Sequence, residues 1–81
     1  MQKIYSIKDK SMGHYQVFMD SNDYGAIRQM SDNVNRENTF YNAHAEDLEL
    51  YCLGEINTDS GDIKPENRYV MKLDDMKKKN N

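Results

Sequence analysis

Nine consecutive residues, Leu48-Glu49-Leu50-Tyr51-Cys52-Leu53-Gly54-Glu55-Ile56, alternate with a period of two. Leu48, Leu50, Cys52, Gly54 and Ile56 fall on one side, and Glu49, Tyr51, Leu53 and Glu55 on the other. Successive side chains of a strand point to opposite faces, so this segment predicts a strand with one face in the core and one turned outward. Gly54 within it predicts a bulge or a close approach of another chain segment. Thr58-Asp59-Ser60-Gly61 follows. Asp and Ser suit the middle of a turn and Gly accepts positive φ. With Ile56 before it and Ile63 after it, this turn predicts a hairpin with a bulge at Gly61. Pro65 ends the returning strand or confines it to a sheet edge. A strand with one apolar face needs a cover, and the rest of the chain must supply it.

Gln2–Lys8 reads as a strand, with Ile4 and Ile7 on opposite faces. Asp9 to Gly13 is a polar loop, and Tyr15, Val17 and Met19 alternate with Gln16 and Phe18 in a second strand. The cover follows. Asp20 or Ser21 can cap a helix, and Ala26, Ile27, Met30 and Val34 have helical spacing, which predicts a helix over residues 22–35. Residues 36–45 show no clean period, although Phe40 and Tyr41 are apolar anchors. Beyond Pro65 two readings stay open: Tyr69, Met71 and Leu73 alternate as in a last strand, while Val70, Leu73 and Met76 could begin a short helix. The expected fold is α+β, one helix packed on a small, mostly antiparallel sheet. The alternative is a small open barrel with a capping helix, similar to an oligonucleotide-binding fold. A single domain over 1–73 and a basic, disordered tail over 74–81 complete the expectation.

With 81 residues there is room for one domain. Apolar residues make up 37%, below the roughly 45–50% of typical soluble domains, a figure that includes Gly. A core this small predicts that a homo-oligomer or a bound ligand completes the fold. No run of 18 apolar residues exists, so no membrane-spanning helix is expected, and residues 1–20 lack the apolar stretch of a secretory leader. The single cysteine, Cys52, cannot form an internal disulfide, which suits a reducing cytoplasm.

Catalytic and metal-binding patterns are weak. There is no Gly-rich phosphate loop, no Gly-x-Ser-x-Gly and no His-Glu-x-x-His, so no enzyme is expected. His14, His44 and Cys52 lack the paired close spacing of a zinc site, and no metal or other cofactor is expected. Asp20, Asn22 and Gly25 resemble the start of a calcium loop. Tyr24 and Ser31 stand where its fifth and twelfth ligands should be, so helix capping is the better reading.

Charge carries more information. The net value is −3, but Lys3, Lys8 and Lys10 against Asp9 make residues 1–18 basic. Arg68, Lys72, Lys77, Lys78 and Lys79 against Asp74 and Asp75 do the same for residues 68–81, and the middle is acidic. If the fold joins the two ends, they form a surface for a polyanion. Aromatic residues interleave with these cations. Tyr5, Tyr15 and Tyr69 could stack on unpaired bases, while Lys3, Lys8, Lys10, Arg28, Arg68 and Lys72 neutralise phosphates. Arg28 could otherwise pair with Asp32 one turn on. A second reading makes the outer strand face, Glu49, Tyr51, Leu53 and Glu55, a docking surface for another protein.

Three stretches together resemble a known family: Lys3-Ile4-Tyr5-Ser6-Ile7-Lys8-Asp9; Ser21-Asn22-Asp23-Tyr24-Gly25-Ala26-Ile27-Arg28, continuing to Asn33-Val34-Asn35; and Asp47 to Ile56 with Thr58-Asp59-Ser60-Gly61-Asp62-Ile63. In this order and spacing, over roughly residues 1–65, the chain resembles the small non-structural DNA-binding proteins of gokushoviruses, single-stranded DNA phages of the Microviridae. The resemblance implies a phage protein of the host bacterial cytoplasm that binds DNA, single-stranded above all, in genome replication or in the switch to single-strand synthesis and packaging. It implies no catalytic residue. Duplex DNA or RNA, further copies of the chain, and a viral replication or capsid protein are the other partners that this reading admits.

Overall fold

The computed structural model describes residues 1–78, apart from the side chain of Tyr15. Four strands form one antiparallel sheet: β1 (Gln2–Asp9), β2 (Gly13–Asp20), β3 (Leu48–Ile56) and β4 (Ile63–Lys72), in the order β2-β1-β3-β4. The helix α1 (Asp23–Val34) crosses one face of this sheet. The sheet is open, so the fold is α+β and not a closed barrel.

Local chemistry explains the elements. At the β1–β2 turn the Asp9 carboxylate accepts from the backbone amides of Ser11 and Met12, which folds the loop back on itself. The helix α1 starts at Asn22, not at Asp20 or Ser21: the Asn22 side chain accepts from the Gly25 amide at 2.8 Å. Asp20 instead receives the Gln29 side-chain amide at 2.6 Å and holds β2 against the helix. The β3–β4 hairpin closes through the Asn57 amide to the Asp62 carbonyl and the Gly61 amide to the Asn57 carbonyl. Gly61 takes φ +83°, as the turn reading requires.

The core is one cluster. Tyr5 and Ile7 from β1 and Leu48, Leu50 and Cys52 from β3 pack against Ala26, Met30 and Val34 of α1. The expected inward face of the Leu48–Ile56 strand is thus the buried one as far as Cys52, two residues before Gly54. That glycine is needed because a Cβ there would sit 2.6 Å from the Lys64 carbonyl oxygen.

Two regions depart from expectation. A five-residue helix, α2 (Phe40–His44), and a 3-10 turn (Ala45–Asp47) occupy the stretch without a period. Thr39 caps α2, accepting from the Asn42 amide at 3.1 Å. At the other end, β4 runs through Pro65 as an edge strand and includes Tyr69 and Met71, so the hairpin strand and the last strand are one. It is followed by a 3-10 turn over Leu73–Met76 whose Leu73 and Met76 are buried in the core. The Asn35 side chain bonds the Met76 carbonyl and accepts from the Lys78 amide, tying this turn to the end of α1. The domain therefore extends past residue 73, and the tail expected over 74–81 is folded at its start; Lys79–Asn81 lie outside the described residues.

Candidate nucleic-acid interface

The helix covers one face of the sheet and leaves the other open. Strand pairing arranges that open face in three rows running across the strands. The first is His14, Lys8, Glu49 and Lys72; the second Val17, Ser6, Tyr51 and Tyr69; the third Met19, Ile4, Gly54 and Pro65. Residues two apart on a strand lie roughly 6.6 Å apart, which sets the spacing of the rows. One row is charged, one carries aromatic rings and one is apolar.

Tyr51 is the centre of the second row. Its ring meets that of Tyr69 edge-on at 5.9 Å and that of His14 at 5.1 Å. The Lys8 ammonium lies 5.2 Å from the Tyr51 ring centroid, within cation–π range. His14 is held in turn by Ser6, whose hydroxyl is 2.6 Å from the imidazole Nδ1. Ser6 is fully buried beneath this cluster, so its hydroxyl needs that partner. Tyr69 is 49% exposed, and Val17 and Met19 on the same face are exposed as well. Such a surface offers an aromatic ring for stacking, with cations one row away for anionic groups.

The nine residues expected to contact nucleic acid separate on the fold. Lys8, Tyr69 and Lys72 stand on the open face, and Lys10 lies exposed in the loop beyond Lys8. Tyr5 does not present a ring: it is fully buried in the core, stacked on Phe18 at 5.7 Å. Its hydroxyl donates to Asp23 at 2.6 Å. Arg68 is also occupied. Its guanidinium donates to both Asp23 carboxylate oxygens, at 2.8 and 3.0 Å, and to Glu66 at 2.7 Å. Lys3 lies on the helix side, close enough to Asp23 to help hold that carboxyl down. Arg28 is exposed on α1, across the sheet from the open face, and the Asp32 pairing is absent among the ion pairs of the described residues. The side chain of Tyr15 lies outside the described residues.

Of the docking set, Glu49, Tyr51 and Leu53 face outward, but Glu55 does not. A bulge lets Tyr5 pair with Cys52 while its neighbour Ile4 pairs with Gly54, so Leu53 is the extra residue and the alternation reverses. Glu55 then pairs with Lys3 and turns to the helix side. The two candidate sets therefore merge: Lys8, Glu49, Tyr51, Leu53, Tyr69 and Lys72 share one surface. His14 is the member that sequence reasoning left out. Its only signal was its place among basic and aromatic residues, while the Ser6 and Tyr51 contacts depend on strand register.

Asp23 organises the covered side. It sits in the first turn of α1, where a negative charge suits the helix dipole. The hydrogen bonds from Arg68, then that from Tyr5 and the nearby positive charge, hold its carboxyl down to about 2 against the cost of burial. Burial and the Asp23 contact push the Tyr5 phenol well above its ordinary range.

His14, His44 and Cys52 do not meet. Cys52 is in the core, His14 is on the open face, and the His44 ring lies 4.7 Å from Phe40 on α2. Among the described residues no group of three or more His, Cys, Asp or Glu is placed to hold a metal ion, and no helix is long and apolar enough to cross a membrane.

No curated protein and no solved structure matches the chain. The model of one family does, over residues 2–76, the same stretch that the sheet, the helices and the closing 3-10 turn occupy. Because that match takes in nearly the whole chain, the protein belongs to the Phage ORF5 protein family.

Proposed function

We propose that the open sheet face binds single-stranded DNA, without catalysis, during phage genome replication or the switch to single-strand synthesis and packaging in the host cytoplasm. The observation that carries this reading is the pairing of an aromatic row, Tyr51 and the half-exposed Tyr69, with a row holding Lys8 and Lys72 one step along the same strands. Bases would lie over the rings and phosphates beside the lysines. Exposed aromatics on an open sheet stack about two or three bases, so one chain grips a short stretch. Useful affinity then calls for several copies along one strand. Membership in a phage family supports the setting.

A titration of a labelled oligothymidylate by fluorescence anisotropy tests this. With Lys8, Lys72 and Lys10 as phosphate contacts, the logarithm of affinity should fall with the logarithm of salt at a slope of about −2, at about −0.7 per contact. Absence of binding at low salt would overturn the reading.

A second reading rests on Val17 and Met19, exposed at 62% and 46% on the same face. They suit a replication or capsid protein docked on the surface around Glu49, Tyr51 and Leu53. Under that reading Val17→Asp abolishes partner capture and Lys72→Gln leaves it intact.

A further inference from the structure

The charged row of the open face carries a feature that phosphate binding alone does not explain. Strand register sets Glu49 directly between Lys8 on one side and Lys72 on the other. Neighbouring strands lie roughly 4.8 Å apart, so the three side chains start within a few ångströms of one another. Neither lysine closes on the carboxylate: the ion pairs of the described residues are Arg68 with Asp23, Arg68 with Glu66, and Lys77 with Asp74. Lys8 lies over the Tyr51 ring instead. A partly buried carboxylate thus stands without a close ion pair in the middle of the row of cations.

We infer that Glu49 makes this face select single strands over duplex DNA. The inference rests on the reading of the open face as a single-strand site. A flexible single strand can set one phosphate at Lys8 and another at Lys72 and lay the base between them against the exposed ring of Tyr69, beside Glu49. A base has no charge, so Glu49 does not repel it. A duplex has its bases stacked inside and meets the sheet with its phosphate backbones alone. Its closely spaced charges must cross the row where Glu49 stands, and like charges brought together suppress the wrong partner. Duplex also gains nothing from the aromatic row, because its bases offer no free face to Tyr69.

The test compares wild-type protein, Glu49→Gln and Asp32→Asn, the last removing one exposed acid from α1 on the far side of the sheet. Each is titrated against a labelled single strand and the matching duplex at one salt concentration, with circular dichroism as a check on folding. The expected result is that Glu49→Gln raises duplex affinity about tenfold and single-strand affinity much less, while Asp32→Asn moves both only slightly. Equal gains on the two DNAs for Glu49→Gln, or a duplex gain no larger than that of Asp32→Asn, would overturn the inference while leaving the single-strand site standing. If the wild type binds neither DNA, the site reading fails and this inference fails with it.

Discussion

Arg68 of β4 grips Asp23 in the first turn of α1 with two guanidinium hydrogen bonds, at 2.8 and 3.0 Å, across 45 positions of sequence. This contact locks the edge strand to the helix and takes the cation away from any external anion. Both side chains are a little over a third exposed, so solvent weakens the pair. Arg68→Ala is expected to cost about 1 kcal/mol, which lowers the melting temperature of a domain this size by roughly 4–8 °C. Single-strand affinity should stay within about twofold of wild type, since Arg68 is not on the open face. A large loss of binding in a folded Arg68→Ala protein would contradict the assignment.

The same contact sets an acid limit. The Asp23 carboxyl is held down to about 2 in the folded chain, against about 3.9 for an unfolded aspartate. A carboxyl depressed on folding stabilises the native state above its unfolded value and loses that stability as pH falls toward its folded value. Thermal melts should therefore show stability declining between about pH 4 and pH 2. In Arg68→Ala this decline should be shallower. An equally steep decline in the variant would remove Asp23 from the explanation.

The backbone at the bulge is intolerant. A Cβ on Gly54 would meet the Lys64 carbonyl oxygen, part of the neighbouring strand and not a side chain that can swing away. Gly54→Ala should cost about 2–3 kcal/mol by forcing β3 and β4 apart. Urea denaturation checks this, and a change under 0.5 kcal/mol would contradict the close approach.

Met76 distinguishes a folded end from a tail. Its side chain is 7% exposed and belongs to the core cluster. Met76→Ala should destabilise by about 2–3 kcal/mol, as buried methionine truncations do. A neutral result would place residues 74–76 outside the cooperative fold.

What was legible in the chain follows from how each contact is encoded. The Leu48–Ile56 strand and α1 could be read because each buries one face along its length, so burial leaves a period in the sequence. The five residues of α2 complete little more than one turn, too few for a period, and the capping residue Thr39 is of a type that serves loops equally well. Asp20 or Ser21 is the expected cap of α1; Asn22 has the same capping chemistry and takes the Gly25 amide, while the Asp20 carboxylate takes the Gln29 side chain. The open face was harder. Which outward residues share it depends on bulges at Leu53 and Val70, and these arise from pairing between strands. That is why Glu55 turned to the helix side, and why Tyr5 and Arg68, plausible by residue type, became core and strut. Tyr69 and Lys72 share the open face only because the extra residue Val70 shifts the alternation of β4, which sets Tyr69 opposite Tyr51 and Lys72 opposite Glu49; Lys8 reaches the same face opposite Glu49 on β1.

Binding on the open face as proposed makes Tyr69 and its neighbours a stacking surface. Its most direct test is anisotropy with a labelled oligothymidylate, comparing wild type with Tyr69→Ala at low and moderate salt. A stacked base contributes about 1–3 kcal/mol, so Tyr69→Ala should lose at least about fivefold in affinity with an unchanged salt slope, because no phosphate contact is removed. Tyr69→Ala binding as tightly as wild type would contradict it.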